Sequence, residues 1–286
     1  MKKLDKIFNK SKRMNINKNS KLFIMSDCHR GIGNALDNFL NNKKIFESAL
    51  RYYYNNGFTY IELGDGDEMW EVKDYKKIIQ QYIDSFKLLK KFNDANRLFM
   101  IYGNHDIAKK SFSIMKKYFY TYYNELTNKD EELLYNLIAY ESLILNYNNL
   151  DIFLIHGHQV DFLNSNLWKL SRFLVRYVWR FLEYGGINDP TSAAKNNKVK
   201  NSVERKLQKW CNKNNKILIA GHTHKAVFPL SNNELYFNDG SCIHPDGITC
   251  IEIINGSIKL VKWINKKNND YSLVNKIIMA HKIIDN

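Results

Sequence analysis

Leu22-Phe23-Ile24-Met25-Ser26-Asp27-Cys28-His29 sets a short apolar run against a polar exit, and the chain repeats that arrangement four more times. Tyr60-Ile61-Glu62-Leu63 leads into Gly64-Asp65-Gly66-Asp67-Glu68, and Leu98-Phe99-Met100-Ile101 into Gly103-Asn104-His105-Asp106. Ile152-Phe153-Leu154-Ile155 leads into His156-Gly157-His158, and Ile217-Leu218-Ile219-Ala220 into Gly221-His222-Thr223-His224. Short apolar runs bounded by turn or polar residues are expected of buried strands, so each polar cluster sits where a strand ends. In an open α/β sheet the carboxyl ends of the strands share one edge, and ligands bind in the crevice there. Five clusters from distant sequence thereby converge, carrying six of the eight histidines. Folding alone gives histidines no reason to collect in this way.

The donor types point to a metal pair. Carboxylate, amide oxygen and imidazole without thiolate suit Mn²⁺, Fe or Zn²⁺ better than a soft-metal or iron–sulfur site. Two such ions about 3.5–4 Å apart polarise phosphoryl oxygens and stabilise both the attacking and the leaving oxygen. A phosphate ester is the anion such a pair attracts.

With these five motifs in this order, the chain resembles the calcineurin-like metallophosphoesterases over roughly residues 22–245. The resemblance implies an α/β fold, a two-sheet β-sandwich flanked by helices, and two divalent ions, Mn²⁺ first with Fe or Zn²⁺ as alternatives. It implies Asp27, His29 and His224 around one ion, Asn104, His156 and His222 around the other, and Asp65 bridging both. It further implies hydrolysis of a phosphate ester or phosphoanhydride by a metal-bridging hydroxide. His105 would be the general acid and Asp106 would orient its imidazole. The plainer alternatives are a non-catalytic turn histidine at His105 and, for the seven ligands, polar strand ends satisfying local hydrogen bonds. Arg30 and His158 are candidate substrate contacts, a surface arginine and a turn histidine being equally simple readings. Asp67 reads as the partner of a ligand, and His244 as structural.

A chain of 286 residues with 44% hydrophobic content can bury a substantial core, and no composition break divides it. The expectation is one domain over residues 21–286. Residues 1–20 hold seven positive charges and little apolar periodicity, which predicts a basic mobile tail. Four cysteines lack C-x-x-C spacing and no secretory h-region is evident, which favours reduced thiols in a cytoplasmic protein. Alternation along the strand end turns Cys28 away from its neighbours Asp27 and His29. The formal charge of +14 comes from a chain in which 35 of 43 basic residues are Lys. That abundance, with many Asn, Ile and Tyr, reads as compositional bias spread over the surface, so nucleic acid is not an expected partner.

Residues 35–56, 73–95 and 107–124 read as helices, and Asn148-Asn149 and Asn255-Gly256 as hairpin turns. A helical insertion over about 160–213 departs from a minimal catalytic domain. Within 167–182, Arg172, Arg176 and Arg180 fall at i, i+4 and i+8, Lys169 extends their stripe, and the remaining circumference is apolar. About sixteen residues with four charges make a poor membrane span. Such a helix suits a membrane surface or an acyl-chain pocket, or a cap buried against the core. The insertion makes the chain similar to the UDP-2,3-diacylglucosamine pyrophosphatases, which act on a lipid-linked nucleotide diphosphate, and adds to the cytoplasmic expectation for this chain a peripheral place on the inner membrane surface. Those enzymes commonly have Gly-Asn-Arg-Asp at the third motif, where this chain has His105, so the substrate stays open. A protein serine/threonine phosphatase and a non-catalytic basic protein bound to nucleic acid or membrane are the remaining alternatives.

Overall fold

The computed structural model describes residues 2–161, 164–165, 167–179, 196–229, 231, 234–268 and 271–284. Its strands are β1 (Lys12–Ile16), β2 (Lys21–Met25), β3 (Thr59–Leu63), β4 (Leu98–Ile101), β5 (Thr121–Asn124), β6 (Lys129–Glu132), β7 (Ala139–Tyr140), β8 (Ser142–Tyr147), β9 (Leu150–Ile155), β10 (Ile217–Ala220), β11 (Tyr236–Asn238), β12 (Ile248–Ile254), β13 (Ser257–Asn268) and β14 (Tyr271–Ile283). A seven-stranded sheet has the order β14-β13-β12-β2-β3-β4-β7, and a five-stranded sheet the order β1-β8-β9-β10-β11. β5 and β6 form a separate hairpin.

Both sheets are buried on two faces, which explains why their strands read as continuous apolar runs instead of alternating ones. Ile24, Ile61, Leu63 and Ile101 meet Leu143, Leu154, Ile219 and Phe237 between the sheets. The helices are α1 (Lys2–Lys10), α2 (Lys43–Asn55), α3 (Lys76–Gln81), α4 (Ile83–Asp94), α5 (Phe112–Tyr118), α6 (Trp168–Leu174) and α7 (Asn197–Asn214). Phe46 and Leu50 of α2 and Phe86 and Phe92 of α4 join the core on the outer face of the larger sheet. α1 and α7 cover the smaller sheet. β2, β3 and β4 run parallel, as do β9, β10 and β11. All five motifs leave carboxyl ends of these strands.

Both expected hairpins form. Asn148, Asn149, Asn255 and Gly256 have φ of 46°, 67°, 52° and 64°, the left-handed geometry that suits a two-residue turn. The helix expected to run to residue 124 ends at Tyr118. Thr121-Tyr122-Tyr123 is β-branched and aromatic, and it pairs antiparallel with Asp130-Glu131-Glu132 instead.

The expected mobile tail over residues 1–20 is overturned. Leu4, Ile7 and Phe8 share one face of α1, and Leu4 and Ile7 are buried. The Phe8 ring lies 5.3 Å from Phe153 and 5.6 Å from Trp210. Trp210 Nε1 donates to Asp5 at 2.8 Å. β1 then adds to the smaller sheet, parallel to β8. Apolar residues at i, i+3 and i+4 are enough for a docked helix, and the surrounding lysines conceal the pattern. Among the described residues, no helix is long and apolar enough to cross a membrane. Leu4→Ala should destabilise the protein by about 2–4 kcal/mol, the usual cost of a cavity in a packed core, measured by urea unfolding.

Candidate metal centre

Asp27 and His29 leave β2 with φ of 52° and 49°, and Asp65, His222 and His224 have 50°, 68° and 53°. Five of the seven expected ligands thus adopt left-handed backbone, which costs about 1–3 kcal/mol each and persists only where the surroundings enforce it. The loops are laced together: Asp27 N donates to Gly64 O at 3.0 Å, His29 N to Asp65 O at 2.9 Å, and Gly221 N to His156 O at 2.9 Å. A side chain at Gly103 would collide with the carboxylate and backbone of Asp65, so that approach requires glycine.

Six of the seven side chains come together in two overlapping groups, and the seventh, Asn104, lines the cavity over them. In the first, Asp27 Oδ1 lies 3.0 Å from His224 Nε2 and 3.7 Å from His29 Nε2, and the two imidazole nitrogens are 3.3 Å apart. In the second, Asp65 Oδ2 lies 3.0 Å from His156 Nε2, with His222 completing a metal-sized cluster. Asp65 also lies 3.9 Å from His29, which puts it between the groups. His156 Nδ1 donates to Leu63 O at 2.9 Å, leaving Nε2 as the inward nitrogen. His222 Nε2 meets Asp161 at 3.2 Å.

Buried Asp27 Oδ1, Asn104 Oδ1 and His156 Nε2 lack a well-aligned hydrogen bond, the first and the last having only their imidazole–carboxylate contacts at 3.0 Å. Unpaired buried acceptors are costly, and these three are oxygen and nitrogen atoms of the kind a divalent ion takes. Burial alone would raise the Asp27 carboxyl, yet His224 and His156 hold it well below the usual carboxylate range. Burial would lower His156, yet Asp65 and Asp27 push it up to about 9. The site therefore favours positive charge, and its residues fit a divalent pair. Ser26 links Asp27 to Asp239, its hydroxyl in contact with both carboxylates. Burial, with the neighbouring Asp27 charge adding to it, pushes the Asp239 carboxyl well above its usual range.

His105 is oriented differently from the expectation. Its Nδ1 lies 2.9 Å from Glu68 Oε1 and 2.8 Å from Oε2, and its ring stacks on Trp70 at 4.3 Å. Asp106 turns beneath the loops, accepting from Gly103 N at 2.7 Å, Gly66 N at 3.1 Å, Asp65 N at 3.3 Å and Lys109 Nζ at 2.8 Å. It braces two ligand loops and does not hold the imidazole. Glu68 was legible only as an acid near the second motif, because no spacing rule aims it at His105.

Neither candidate substrate contact holds. Arg30 is fully buried, 2.7 Å from Asp67 and 2.9 Å from Glu62. Lys109 Nζ lies beside it, 2.7 Å from Asp67 and 3.5 Å from Glu62. The convergent carboxylates of Glu62, Asp67 and Asp106 thus already have their cations, and Asp67 pairs with Arg30 and Lys109 and not, as expected, with a metal ligand. His158 is buried behind His156, its rings 5.5 Å away, and does not line the cavity over the site. Half-exposed His244 accepts from Asp246 N at 3.2 Å within its own turn. Cys28 faces the core, away from the ligands, and all four cysteines are free and buried.

That cavity measures about 740 Å³ and is walled beyond the histidines by Trp70, Val175, Ile243, Leu260 and Met279. α6 runs into a π-helical turn, Val175–Trp179, whose Val175 lines the cavity. Arg180 lies outside the described residues, and Arg176 is not part of a solvated stripe. It reaches inward to the carbonyls of Trp70 at 2.6 Å, Met69 at 3.1 Å and Val72 at 3.4 Å. Arg172 stays over the Trp168 ring.

Because Arg30 compensates two buried carboxylates, Arg30→Ala should cost about 3–5 kcal/mol of stability. Urea unfolding would measure it; unchanged stability with a raised KM would restore the substrate role.

The sequence profile of the calcineurin-like phosphoesterases matches residues 20–226. No curated protein matches the chain. Among solved structures, vacuolar protein sorting 29 from Cryptosporidium parvum aligns at 14% identity over 91% of this chain and 98% of its own, with a TM-score of 0.43. A predicted phosphoesterase from Streptococcus pneumoniae aligns at 15% identity over 90% and 98%, with a TM-score of 0.37. A cold-active protein-tyrosine phosphatase of a Shewanella species aligns at 14% identity over 87% and 80%, with a TM-score of 0.42. These alignments are remote, and the assignment rests on the profile match, which spans most of the chain and contains all five motifs: the chain belongs to the calcineurin-like phosphoesterases and is a metal-dependent phosphoesterase.

Proposed function

We propose that the chain hydrolyses a phosphate ester or phosphoanhydride at two divalent ions, Mn²⁺ first among Mn²⁺, Fe and Zn²⁺. Asp27, His29 and His224 would hold one ion, Asn104, His156 and His222 the other, with Asp65 shared. The observation that carries this reading is the convergence of Asp27, His29 and His224, and of Asp65, His156 and His222, into two metal-sized clusters, with buried Asp27 Oδ1, Asn104 Oδ1 and His156 Nε2 lacking a well-aligned hydrogen bond. When bound, such a pair supplies Lewis acidity toward the phosphoryl oxygens and lowers the pKa of a water. The chain's own contributions are separable. Asp65 holds the two groups in one frame, its Oδ1 accepting from His105 N at 2.8 Å. His105 borders the cavity with Nδ1 occupied by Glu68, which leaves Nε2 to give a proton to the departing oxygen.

A second reading concerns the substrate. Leu170, Phe173 and Tyr177, at 52%, 55% and 46% exposure, lie on the insertion while Arg176 is turned inward. This reversal of the usual amphipathic order favours contact with a lipid surface or a lipid-bearing ester, peripheral to a membrane.

A hydrolysis screen with added Mn²⁺ should cover phosphomonoesters, phosphodiesters, nucleotide diphosphate-sugars and phosphopeptides, the last class testing a protein-phosphatase role. Asp65→Ala should lose bound Mn²⁺ and turnover together, whereas His105→Ala should keep its metal and slow by about 10²–10⁴. The slowing should be smaller for a p-nitrophenyl ester, whose leaving group needs little protonation. Retention of two ions and full activity by Asp65→Ala would refute the site. For the lipid reading, Leu170→Ser/Phe173→Ser should stop co-sedimentation with phosphatidylglycerol vesicles and spare a small soluble ester. Wild-type protein that does not sediment would remove that reading.

A further inference from the structure

One carboxylate serves two imidazoles with different tasks. Glu68 Oε2 lies 3.0 Å from His29 Nδ1 and 2.8 Å from His105 Nδ1, and Oε1 lies 2.9 Å from the latter. The two rings meet edge to face at 4.6 Å. Glu68 is itself fixed, its backbone N donating to Arg30 O at 3.0 Å. Arg30 is locked by Asp67 and Glu62. Trp70, two residues on, stacks on His105 from another side.

We infer that Glu68 is the positioning residue that aims His29 at the metal and His105 at the leaving group simultaneously. Each imidazole has one Nδ1–H to place, and a carboxylate is acceptor-only with room for both. With both Nδ1–H groups donating to Glu68, both Nε2 atoms point away from it, His29 toward Asp27 and His224 and His105 toward the cavity. A glutamine is a poorer substitute, because even with its oxygen where Oε2 meets both rings it carries no charge, and its NH₂ would then oppose His105 Nδ1–H in place of Oε1. The loading of His29 and the aim of His105 are therefore coupled through one side chain. This inference rests on the phosphoesterase reading for its His105 half only.

The test measures Mn²⁺ affinity by titration calorimetry, then turnover of p-nitrophenyl and phenyl esters of whichever phosphate class the wild-type protein hydrolyses. Glu68→Gln should weaken one Mn²⁺ equivalent by about 10–100-fold, the usual effect of losing a partner behind a ligand histidine. It should also slow the phenyl ester more than the p-nitrophenyl ester. In a His105→Ala background the affinity loss should persist and the leaving-group effect should vanish. A merely structural role would slow both esters equally. Glu68→Asp, which keeps the charge one methylene shorter, should support at most one of the two histidines and so show at least one of the two losses, and it guards against a glutamine variant that fails to fold. Wild-type Mn²⁺ affinity with an unchanged ester ratio in either variant would overturn the inference. So would a leaving-group effect that survives in His105→Ala. If the wild-type protein hydrolyses none of the esters, the catalytic reading fails and the Mn²⁺ titration alone decides whether Glu68 supports His29.

Discussion

Asp27 and Asp65 stand almost free of water inside a ring of imidazoles, and buried carboxylates so close together are tolerable only where positive charge lies among them. Much of the surrounding architecture answers that constraint. The left-handed turns at Asp27, Asp65 and His222 bring the charges into one volume. Ser26 stands behind Asp27, its hydroxyl in contact with that carboxylate and with Asp239. Beneath the opposite loop, Arg30 and Lys109 neutralise a second carboxylate layer, whose member Asp106 pins the backbone of Asp65, Gly66 and Gly103. The site is thus two electrostatic layers. The upper one is open to a cavity and short of cations, and the lower one is closed and balanced.

The strands and the convergence of their carboxyl ends were legible because apolar runs followed by Gly, Asp, Asn and His carry both a burial pattern and a donor chemistry. The five-motif order added the family. What stayed hidden depended on contacts distant in sequence. Arg30 looked like an exposed arginine because nothing local announces Glu62 and Asp67 as its partners 32 and 37 positions away. Asp106, adjacent to His105, looked like its orienting acid. The turn after β4 sends that carboxylate downward to three backbone amides, leaving His105 to Glu68, 37 positions earlier. The periodicity of α1 was present, but a lysine-rich composition made it look like solvated chain.

The insertion follows the same lesson with the opposite sign. Its arginine register was legible, and the direction of the arginines was not. Helical spacing reports which residues share a face without saying whether that face looks outward. Three carbonyl groups of the Met69–Val72 segment, short of donors in their own loop, draw Arg176 inward and leave aromatic and aliphatic side chains outside. Backbone satisfaction overrides the ordinary preference for a charged exterior.

The pairing of β1 with β8 has a kinetic side. Ser11 and Ser142, whose hydroxyls bond at 2.7 Å beside that pairing, are 131 positions apart. As the chain emerges from a ribosome, residues 2–16 appear early and their sheet partner appears late, so Leu4, Ile7 and Phe8 must stay exposed while much of the rest is made. The charges of Lys2, Lys3, Lys6, Lys10, Lys12 and Arg13 flank those apolar residues closely. Charges placed in this way discourage aggregation of a waiting apolar segment, a use for part of the chain's positive charge that belongs to assembly.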